Sequence, residues 1–331
     1  MAALPPKQIV TAIEDAFAET GASAVLISNE RAHPRRFYIV AGESSFPVWI
    51  YIWTLTHGGG AARPRDEYRI QLTGVTPPLP QNPDGPTLLL GYEQNTKCFA
   101  GFDLRMHRAF SRKSPSIQVN INTLRNAVRD GFAFARKGND EIAIGFRPDN
   151  ILAYTLNAEN LHESGADARV SDALNKVTRF ETLTEVEANA IPAERQRVIA
   201  KVSRLARDSD FRRKVTVAYD RKCAVTGLQL RLIDAAHILP VGADGSTDEV
   251  SNGICLSPTY HRAYDRGLIF LTDDLRMMIN TPKRRDLVRL GLGGGLAEFE
   301  APLGREVFLP PDRRQWPNTD YIHAANAVRA S

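Results

Sequence analysis

The segment AAHILPVGADGSTDEVSNGICLSPTYHRAYDRG, residues 235–267, constrains this chain more than any other part of it. It contains His237, Asn252 and His261, although the whole chain of 331 residues has only seven histidines. Asp265 follows His261 by four residues, so the two side chains share one face if this stretch is helical. The pattern predicts a strand histidine and helix-borne ligands that hold a divalent metal ion beside a general base.

The neighbouring residues predict the local structure that carries this pattern. Residues 223–241, CAVTGLQLRLIDAAHILPV, are typical of a short β-hairpin that turns at its TG dipeptide, and residues 230–238 are its second strand. After a polar loop, Ser257 is a suitable N-cap and Pro258 a suitable first residue for a helix over SPTYHRAYD. The segment is therefore expected to fold as a hairpin followed by one helix.

With these motifs the segment resembles the HNH nuclease family, which is named for a His, an Asn and a final His. The intervals of 15, 9 and 4 residues between His237, Asn252, His261 and Asp265 are similar to those of its colicin-type and RNA-guided members. The strings AHILP, NGICLSP and HRAYDRG also resemble the subgroup found in predicted restriction endonucleases. The resemblance covers residues 211–285 and is specific, because three motifs agree in type, order and spacing.

The resemblance implies a ββα-metal fold and a role for each of these side chains. His237 would be the general base that takes a proton from the attacking water, because neutral imidazole accepts protons near neutral pH. His261 would bind the metal ion, and Asp265, one helical turn later, would be a second ligand. Asn252 would tie the loop to the strand and hold the His237 backbone. The expected ion is Mg²⁺, for which Mn²⁺ could substitute.

Two departures from the family pattern concern metal ions. Many members carry an Asp or His ligand immediately before the base, but here that position is Ala236, and Asp234 could replace it only if the strand bends. Many relatives also hold the hairpin with two Cys-x-x-Cys pairs around zinc, whereas Cys223 and Cys255 are single cysteines. We therefore expect no structural zinc and two small buried thiols.

The whole chain is expected to have an α+β fold with two domains. An amphipathic helix with Ile9, Ile13 and Phe17 precedes several strand-like runs between Gly-rich and Pro-rich turns, which predict an N-terminal α+β DNA-reading domain. The expected parts are this domain over 1–165, a basic helical linker over 166–210, the C-terminal ββα-metal HNH nuclease domain over 211–285 and a C-terminal extension over 286–331.

Basic residues cluster in three places where they could contact a DNA duplex. The expected phosphate-binding residues are Arg212, Arg213 and Lys214 before the hairpin, Arg262 and Arg266 beside the metal, and Arg112 and Lys113 in the N-terminal domain. A solvated surface is the alternative for Arg262 and Arg266 and for the residues of the N-terminal domain.

Composition excludes several classes of protein. The hydrophobic fraction of 43% is that of a globular chain, and no run of roughly 18 apolar residues could span a bilayer. The first residues contain acids and prolines rather than a secretory signal, and three cysteines are too few for a disulfide framework. A cytoplasmic protein without a membrane partner is therefore expected.

These features predict a metal-dependent endonuclease of the restriction type that acts on double-stranded DNA. One such module cuts one strand, so a homodimer is expected for cutting both strands. Two alternatives stay open. The N-terminal domain could instead sense a small ligand or a nucleotide second messenger and release a nonspecific nuclease in antiviral defence, or the chain could be a DNA-binding module without catalysis. The sequence specifies neither the recognised DNA sequence nor a dependence on base modification.

Overall fold

The computed structural model describes residues 3–57, 64–110, 115–137, 141–164 and 167–330, which form two compact units. The first unit spans residues 1–209 and the second spans residues 210–331. Both units combine helices with mostly antiparallel sheets, so the predicted α+β fold class is confirmed. Within the described ranges, no helix is both long enough and apolar enough to cross a membrane.

Two sheets organise the first unit. The strands are β1 (Ser23–Leu26), β2 (Arg35–Ala41), β3 (Ser44–Thr54), β4 (Thr56–His57), β5 (Glu67–Gln71), β6 (Thr87–Glu93), β7 (Cys98–Phe102), β8 (Ser116–Asn120), β9 (Phe132–Arg136) and β10 (Ile142–Phe146). The larger sheet has the order β1-β2-β3-β6-β7-β10-β9, in which only β3 and β6 are parallel neighbours. The smaller sheet, β4-β5-β8, is antiparallel.

Among its described residues, eight α-helices begin in the first unit. They are α1 (Pro6–Glu19), α2 (Leu104–His107), α3 (Ile121–Asp130), α4 (Ile151–Thr155), α5 (Ala158–Glu163), α6 (Ala168–Thr178), α7 (Glu185–Asn189) and α8 (Ala193–Ala218), and α8 ends in the second unit. The predicted amphipathic helix corresponds to α1, and two of the predicted strand-like runs, RRFYIVA and TLLLGYE, are β2 and β6.

The larger sheet of the first unit is buried on both faces, because its central strands carry apolar residues at consecutive positions. Along β3, Ile50 and Ile52 pack in one apolar cluster, whereas Tyr51 and Trp53 pack in another. Helices α1 and α6 contribute to the first cluster, and the smaller sheet with α3 contributes to the second. The unit is therefore a sheet between two apolar layers.

The range predicted as a basic linker, 166–210, is largely helical, but part of it belongs to the core of the first unit. Val170 and Leu174 of α6 and Ile199 of α8 are buried in the cluster that contains α1. These apolar residues at helical spacing attach the range to the first unit. The expected division into four parts stays a prediction.

The second unit is built on a β-hairpin followed by a helix. Its elements are β11 (Asp234–His237), β12 (Gly253–Leu256), α9 (Pro258–Asp265), β13 (Ile269–Leu271), β14 (Met277–Ile279), α10 (Thr281–Arg289), α11 (Leu296–Glu300) and α12 (Thr319–Ala330). β11 pairs antiparallel with β12, and α9 follows directly with Pro258 at its first position. The expected hairpin and helix are therefore both present.

The hairpin uses different strands from those that the sequence predicts. β11 begins at Asp234, and its partner is β12 rather than the segment before the TG dipeptide. Leu230 and Arg231 have φ values of 44° and 55°, and these left-handed values interrupt an extended strand. Around the TG dipeptide the chain forms a local turn, in which Gly227 N–H donates to the Cys223 carbonyl. The loop between β11 and β12 is therefore the hairpin connection.

The C-terminal extension contributes to the core of the second unit. Ile322 and Ala325 of α12 are fully buried in the apolar cluster that contains the hairpin. Arg329 Nη1 donates to the Ile238 carbonyl at 2.7 Å, and its guanidinium lies 4.0 Å from the ring centre of Tyr264. Helix α12 therefore supports both the end of β11 and helix α9.

Gly253 packs closely against α8, which yields a prediction about stability. A Cβ at this position would lie 2.3 Å from Val215 Cγ2 and 3.1 Å from the Phe211 ring. We expect Gly253→Ala to lower the free energy of unfolding of the second unit by about 1–3 kcal/mol, because added volume strains a packed core. The melting temperature measures this effect. Gly294→Ala is the matched control, since a Cβ there meets no atom within 4 Å, and equal melting temperatures for the two variants would contradict the prediction.

Candidate active site

His237 is the last residue of β11, and its imidazole is held on two sides. The ring stacks on Phe211 with centroids 3.7 Å apart and an interplanar angle of 12°. Nε2 lies 3.2 Å from Oδ1 of Asp248, a residue of the hairpin loop. Nδ1 has no hydrogen-bond partner among the residues that the structure describes, and the side chain is 14% exposed. The ring is therefore fixed in place and still reached by solvent.

Asn252 is fully buried and ties the hairpin loop to the start of β12. Its Oδ1 accepts from Leu239 N–H at 2.8 Å, and its Nδ2 donates to the Thr247 carbonyl at 2.9 Å. Its own backbone carbonyl accepts from Ile238 N–H at 2.8 Å. These bonds fix the backbone directly after His237, so Asn252 is placed to position that residue rather than to contact a substrate.

His261, on α9, lies between two carboxylates. Its Nδ1 is 3.4 Å from Asp234 Oδ2, and its Nε2 is 3.4 Å from Asp265 Oδ2. Asp234 reaches His261 from a regularly paired strand, so the bend that the sequence argument required is not needed. Ala236, the position of the usual family ligand, is fully buried in the apolar core. The carboxylate next to His261 therefore comes from two residues earlier on the strand.

Asp234 is also held by Arg212. Arg212 Nη1 donates to Asp234 Oδ1 at 3.0 Å, and its Nη2 donates to the Ile233 carbonyl at 2.7 Å. Burial acts to raise the pKa of Asp234, but hydrogen bonds with His261 and Arg212 outweigh it, so the pKa lies below its ordinary value. Asp234 is therefore an ionised carboxylate at neutral pH.

Consecutive residues of α8 connect the two parts of the site. Phe211 stacks on His237, and Arg212 binds the Asp234 that faces His261. Along β11, Asp234 and His237 are three residues apart, which is about 10 Å in an extended strand. His237, the candidate base, and the Asp234–His261 pair are therefore both held by the same turn of α8.

The predicted phosphate-binding residues of α8 are all engaged in ion pairs. Arg212 is bound to Asp234 and its side chain is only 20% exposed, so it belongs to the interior of the site. Arg213 and Lys214 each lie 2.6 Å from a carboxylate oxygen of Asp210, which is buried. These two side chains are partly exposed but are already paired with an acid.

The predicted phosphate-binding residues of α9 differ from those of α8. Arg262 and Arg266 are exposed, and neither guanidinium makes an ion pair within the described part of the chain. They follow His261 and Asp265 in the sequence, so they lie beside the metal candidate. The other two predicted residues, Arg112 and Lys113, lie outside the described residues.

Sequence reasoning missed three side chains of this site: Phe211, Asp248 and Arg329. Phe211 had a weak signal, since it is an apolar residue in the charged string SDFRRK. Asp248 stands four residues before Asn252 in the loop, where an acid is ordinarily read as solvated. Arg329 had no sequence signal, because its contact with Ile238 spans 91 residues of sequence.

The two cysteines of the second unit are buried free thiols. Burial raises the pKa of Cys255 to about 12, so this thiol is protonated at neutral pH.

Among residues placed by the structure, no three His, Cys, Asp or Glu side chains are grouped so that they could hold one ion. Around His261 the protein therefore offers one carboxylate on each side of the imidazole ring.

Residues 223–272 match the family model described as HNH endonuclease. The chain carries an HNH endonuclease domain. The matched range includes His237, Asn252, His261 and Asp265, so the resemblance drawn from the motifs is confirmed and the protein is a DNA endonuclease. HNH endonucleases generally use a divalent metal ion, which agrees with the histidine and carboxylates described above.

The first unit has a family match of its own. Residues 46–155 match the model described as methylase-associated X1. No curated protein matches the chain. Among solved structures, the chain is similar to a modification dependent TagI restriction endonuclease, with 16% identity and a TM-score of 0.30 over 85% of this chain and 81% of that one. This likeness is too distant to transfer a site or a substrate.

Proposed function

We propose that this HNH endonuclease is a metal-dependent enzyme of the restriction type that hydrolyses phosphodiester bonds of double-stranded DNA, with His237 as general base. The observation that carries the proposal is that consecutive residues of α8 contact both parts of the site. Phe211 stacks on His237, whose Nδ1 has no partner among the described residues, and the next residue, Arg212, binds the Asp234 that faces His261. In-line hydrolysis requires a proton acceptor on one side of the phosphate and charge stabilisation on the other.

Each residue would make a separate contribution to the reaction. His237 Nδ1 would take a proton from the attacking water as the new phosphorus–oxygen bond forms and the bond to the 3′-oxygen breaks. One water is consumed, and the products are a 5′-phosphate and a 3′-hydroxyl. Asn252 would hold the His237 backbone, and Arg262 and Arg266 would bind neighbouring phosphates.

The donors around His261 fit a divalent metal ion. Neighbouring ligands of an octahedral ion at about 2.1 Å lie about 3 Å apart, and Nδ1 and Asp234 Oδ2 are 3.4 Å apart. One ring nitrogen binds one ion, so Asp234 and Asp265 are alternative partners of His261. We propose Mg²⁺, with Mn²⁺ as a substitute, because this sparse ligand set leaves positions for water and phosphate. The bound ion would stabilise the charge that develops on the phosphate and the leaving oxygen.

We assign DNA reading to the first unit and cleavage to the second. The description methylase-associated suits a restriction role, since a restriction enzyme works beside a methylase that protects the same DNA. Two strands must be cut and the chain has one HNH site, so we propose a homodimer on DNA. The three described cysteines are buried and free, which suits the reducing cytoplasm as the place of action.

The most informative test is digestion of matched methylated and unmethylated plasmid in Mg²⁺, followed by sequencing of the ends. We expect cuts at defined positions, a preference for one of the two plasmids, and no cutting in EDTA. Sequence-independent degradation that appears only after a nucleotide is added would select the ligand-sensing alternative. Binding without any cutting, in Mg²⁺ or in Mn²⁺, would select the non-catalytic alternative.

A second prediction concerns the exposed arginines. Arg262→Ala and Arg266→Ala are each expected to weaken DNA binding equally for all sequences and to reduce the salt dependence of log K by about one unit, because each arginine neutralises one phosphate. The measurement is a salt titration of DNA affinity in EDTA. Arg289→Ala is the control, since this exposed arginine of the same unit is already paired with Asp286 at 2.9 Å. An unchanged salt slope in both α9 variants would assign these arginines to solvated surface.

A further inference from the structure

We propose that Asp248 is a positioning residue that fixes the tautomer of His237 and thereby makes Nδ1 the proton-accepting atom. The proposal rests on the role of His237 as general base. It adds a third carboxylate to the site, after Asp234 and Asp265, with a function separate from metal binding.

The contact between Asp248 and His237 favours one tautomer of the imidazole. A carboxylate only accepts hydrogen bonds, and Asp248 Oδ1 lies 3.2 Å from His237 Nε2. In a neutral imidazole one nitrogen carries the proton and the other holds a lone pair. Asp248 therefore favours the tautomer with the proton on Nε2. The lone pair is then on Nδ1, the nitrogen without a partner in the described residues.

Phe211 and Asp248 together set the orientation of the His237 ring. Phe211 is buried and parallel to the imidazole within 12°, so the His237 ring is confined to one plane. Within that plane, a flip of the ring would replace Nε2 by a carbon next to Asp248 and lose the hydrogen bond. Stacking and hydrogen bonding together therefore define both the plane of the ring and the direction of Nδ1.

The hairpin loop holds Asp248 itself in place. The preceding residue, Thr247, accepts from Asn252 Nδ2 through its carbonyl at 2.9 Å and is bonded through Oγ1 to Tyr321 Oη at 2.8 Å. The loop is thus fixed immediately before Asp248, by the asparagine of the HNH motif and by helix α12. Asn252 would then act on His237 in two ways, through the backbone after it and through Asp248.

A carboxylate at position 248 is unfavourable for DNA binding. Asp248 lines an open groove together with Arg213, Lys214 and Arg314, a suitable surface for a DNA backbone. A carboxylate in such a groove opposes phosphate binding. Its side chain makes no ion pair with an arginine or lysine of the described chain, and its one side-chain bond is to His237. Its contribution is therefore to the histidine rather than to the groove.

The test separates a catalytic-rate effect from a binding effect. Asp248→Ala is expected to lower the single-turnover cleavage rate by about 10- to 100-fold, the usual loss when an orienting partner is removed. DNA affinity should stay equal or become tighter. Asp248→Glu should recover part of the rate. Asp244→Ala is the matched control, because Asp244 is an exposed acid of the same hairpin loop that does not bond to His237, and its rate should equal that of the wild type.

A direct readout is ¹⁵N NMR of the full chain with labelled histidine, with the His237 signal assigned by comparison with His237→Ala. We expect the Nε2–H tautomer in the wild type and a mixture of tautomers in Asp248→Ala. An unchanged rate in Asp248→Ala, or a wild-type His237 with its proton on Nδ1, overturns the proposal. Full activity of His237→Ala in the same assay would instead reject the proposed function from which this inference starts.

Discussion

His237→Ala is expected to reduce the single-turnover rate of plasmid cleavage by about 10²- to 10⁴-fold, the loss that follows removal of a general base. DNA affinity should stay nearly unchanged. The described contacts of the His237 side chain are with Phe211 and Asp248, both within the protein, so its removal deletes no arginine or lysine contact to phosphate. The measurements are cleavage kinetics in Mg²⁺ and a DNA binding titration in EDTA.

Two further variants make the result for His237 specific. His323→Ala removes an exposed histidine of the same unit that pairs with Asp273, and it should cut at the wild-type rate. His237→Gln keeps most of the side-chain volume beside Phe211 but offers no proton acceptor of comparable basicity, so it should be as slow as His237→Ala. If either His237 variant turns over like the wild type, another group must be the base. If both are slow with normal melting temperatures, a folding defect is excluded.

The nuclease half of this chain could be predicted because its chemistry is local in sequence. His237, Asn252 and His261 lie on one hairpin and the helix after it, so their spacing carries most of the geometry. A one-residue change in such a unit moves a side chain to another face of a strand or helix. Motif spacing therefore determines which side chains meet in this segment.

The contacts made by more distant segments could not be predicted in the same way. Phe211 and Arg212 reach the site from α8, a helix whose sequence shows mainly charge, and Arg329 reaches it across 91 residues. Such contacts depend on how helices pack on the hairpin, which periodicity does not specify. The expectation that Arg212 binds DNA was drawn from charge alone, whereas its guanidinium is occupied by Asp234.

The strand before His237 was misjudged for a different reason. LRLIDAAHI has the composition of one continuous strand, but Leu230 and Arg231 adopt positive φ values that only a tertiary constraint imposes on such residues. In the first unit, composition indicates that the strands exist but does not specify their order in the sheet. Individual strands such as β2 and β6 follow from composition, whereas the parallel pairing of β3 with β6 joins segments separated by two strands of the smaller sheet.

The largest remaining effect is expected at the metal. His261→Ala should remove cleavage at every usable Mg²⁺ concentration, because it removes the imidazole that lies between the Asp234 and Asp265 carboxylates. Affinity of the free protein for Mg²⁺ should be low, since the imidazole offers one carboxylate on each side rather than a full ligand set. Calorimetric titration of Mg²⁺ into free protein and into the complex of His237→Ala with DNA measures this, and affinity should rise with DNA because phosphate oxygens complete the coordination. Equal affinities would contradict the weak-site argument.

The two aspartates decide on which side of the imidazole the ion binds. Asp234 is fixed by Arg212 and is 26% exposed, whereas Asp265 is 57% exposed at the end of α9, so a ligand from the strand needs less ordering when the ion binds. We therefore expect Asp234→Asn, which keeps an oxygen for Arg212 but loses the charge, to reduce Mn²⁺ affinity and cleavage nearly as much as His261→Ala. Asp265→Asn should reduce Mn²⁺ affinity and cleavage less than Asp234→Asn does. The reverse order, with Asp265→Asn inactive and Asp234→Asn close to the wild type in both Mn²⁺ affinity and rate, would place the ion at Nε2 and leave Asp234 as the partner that orients the ring.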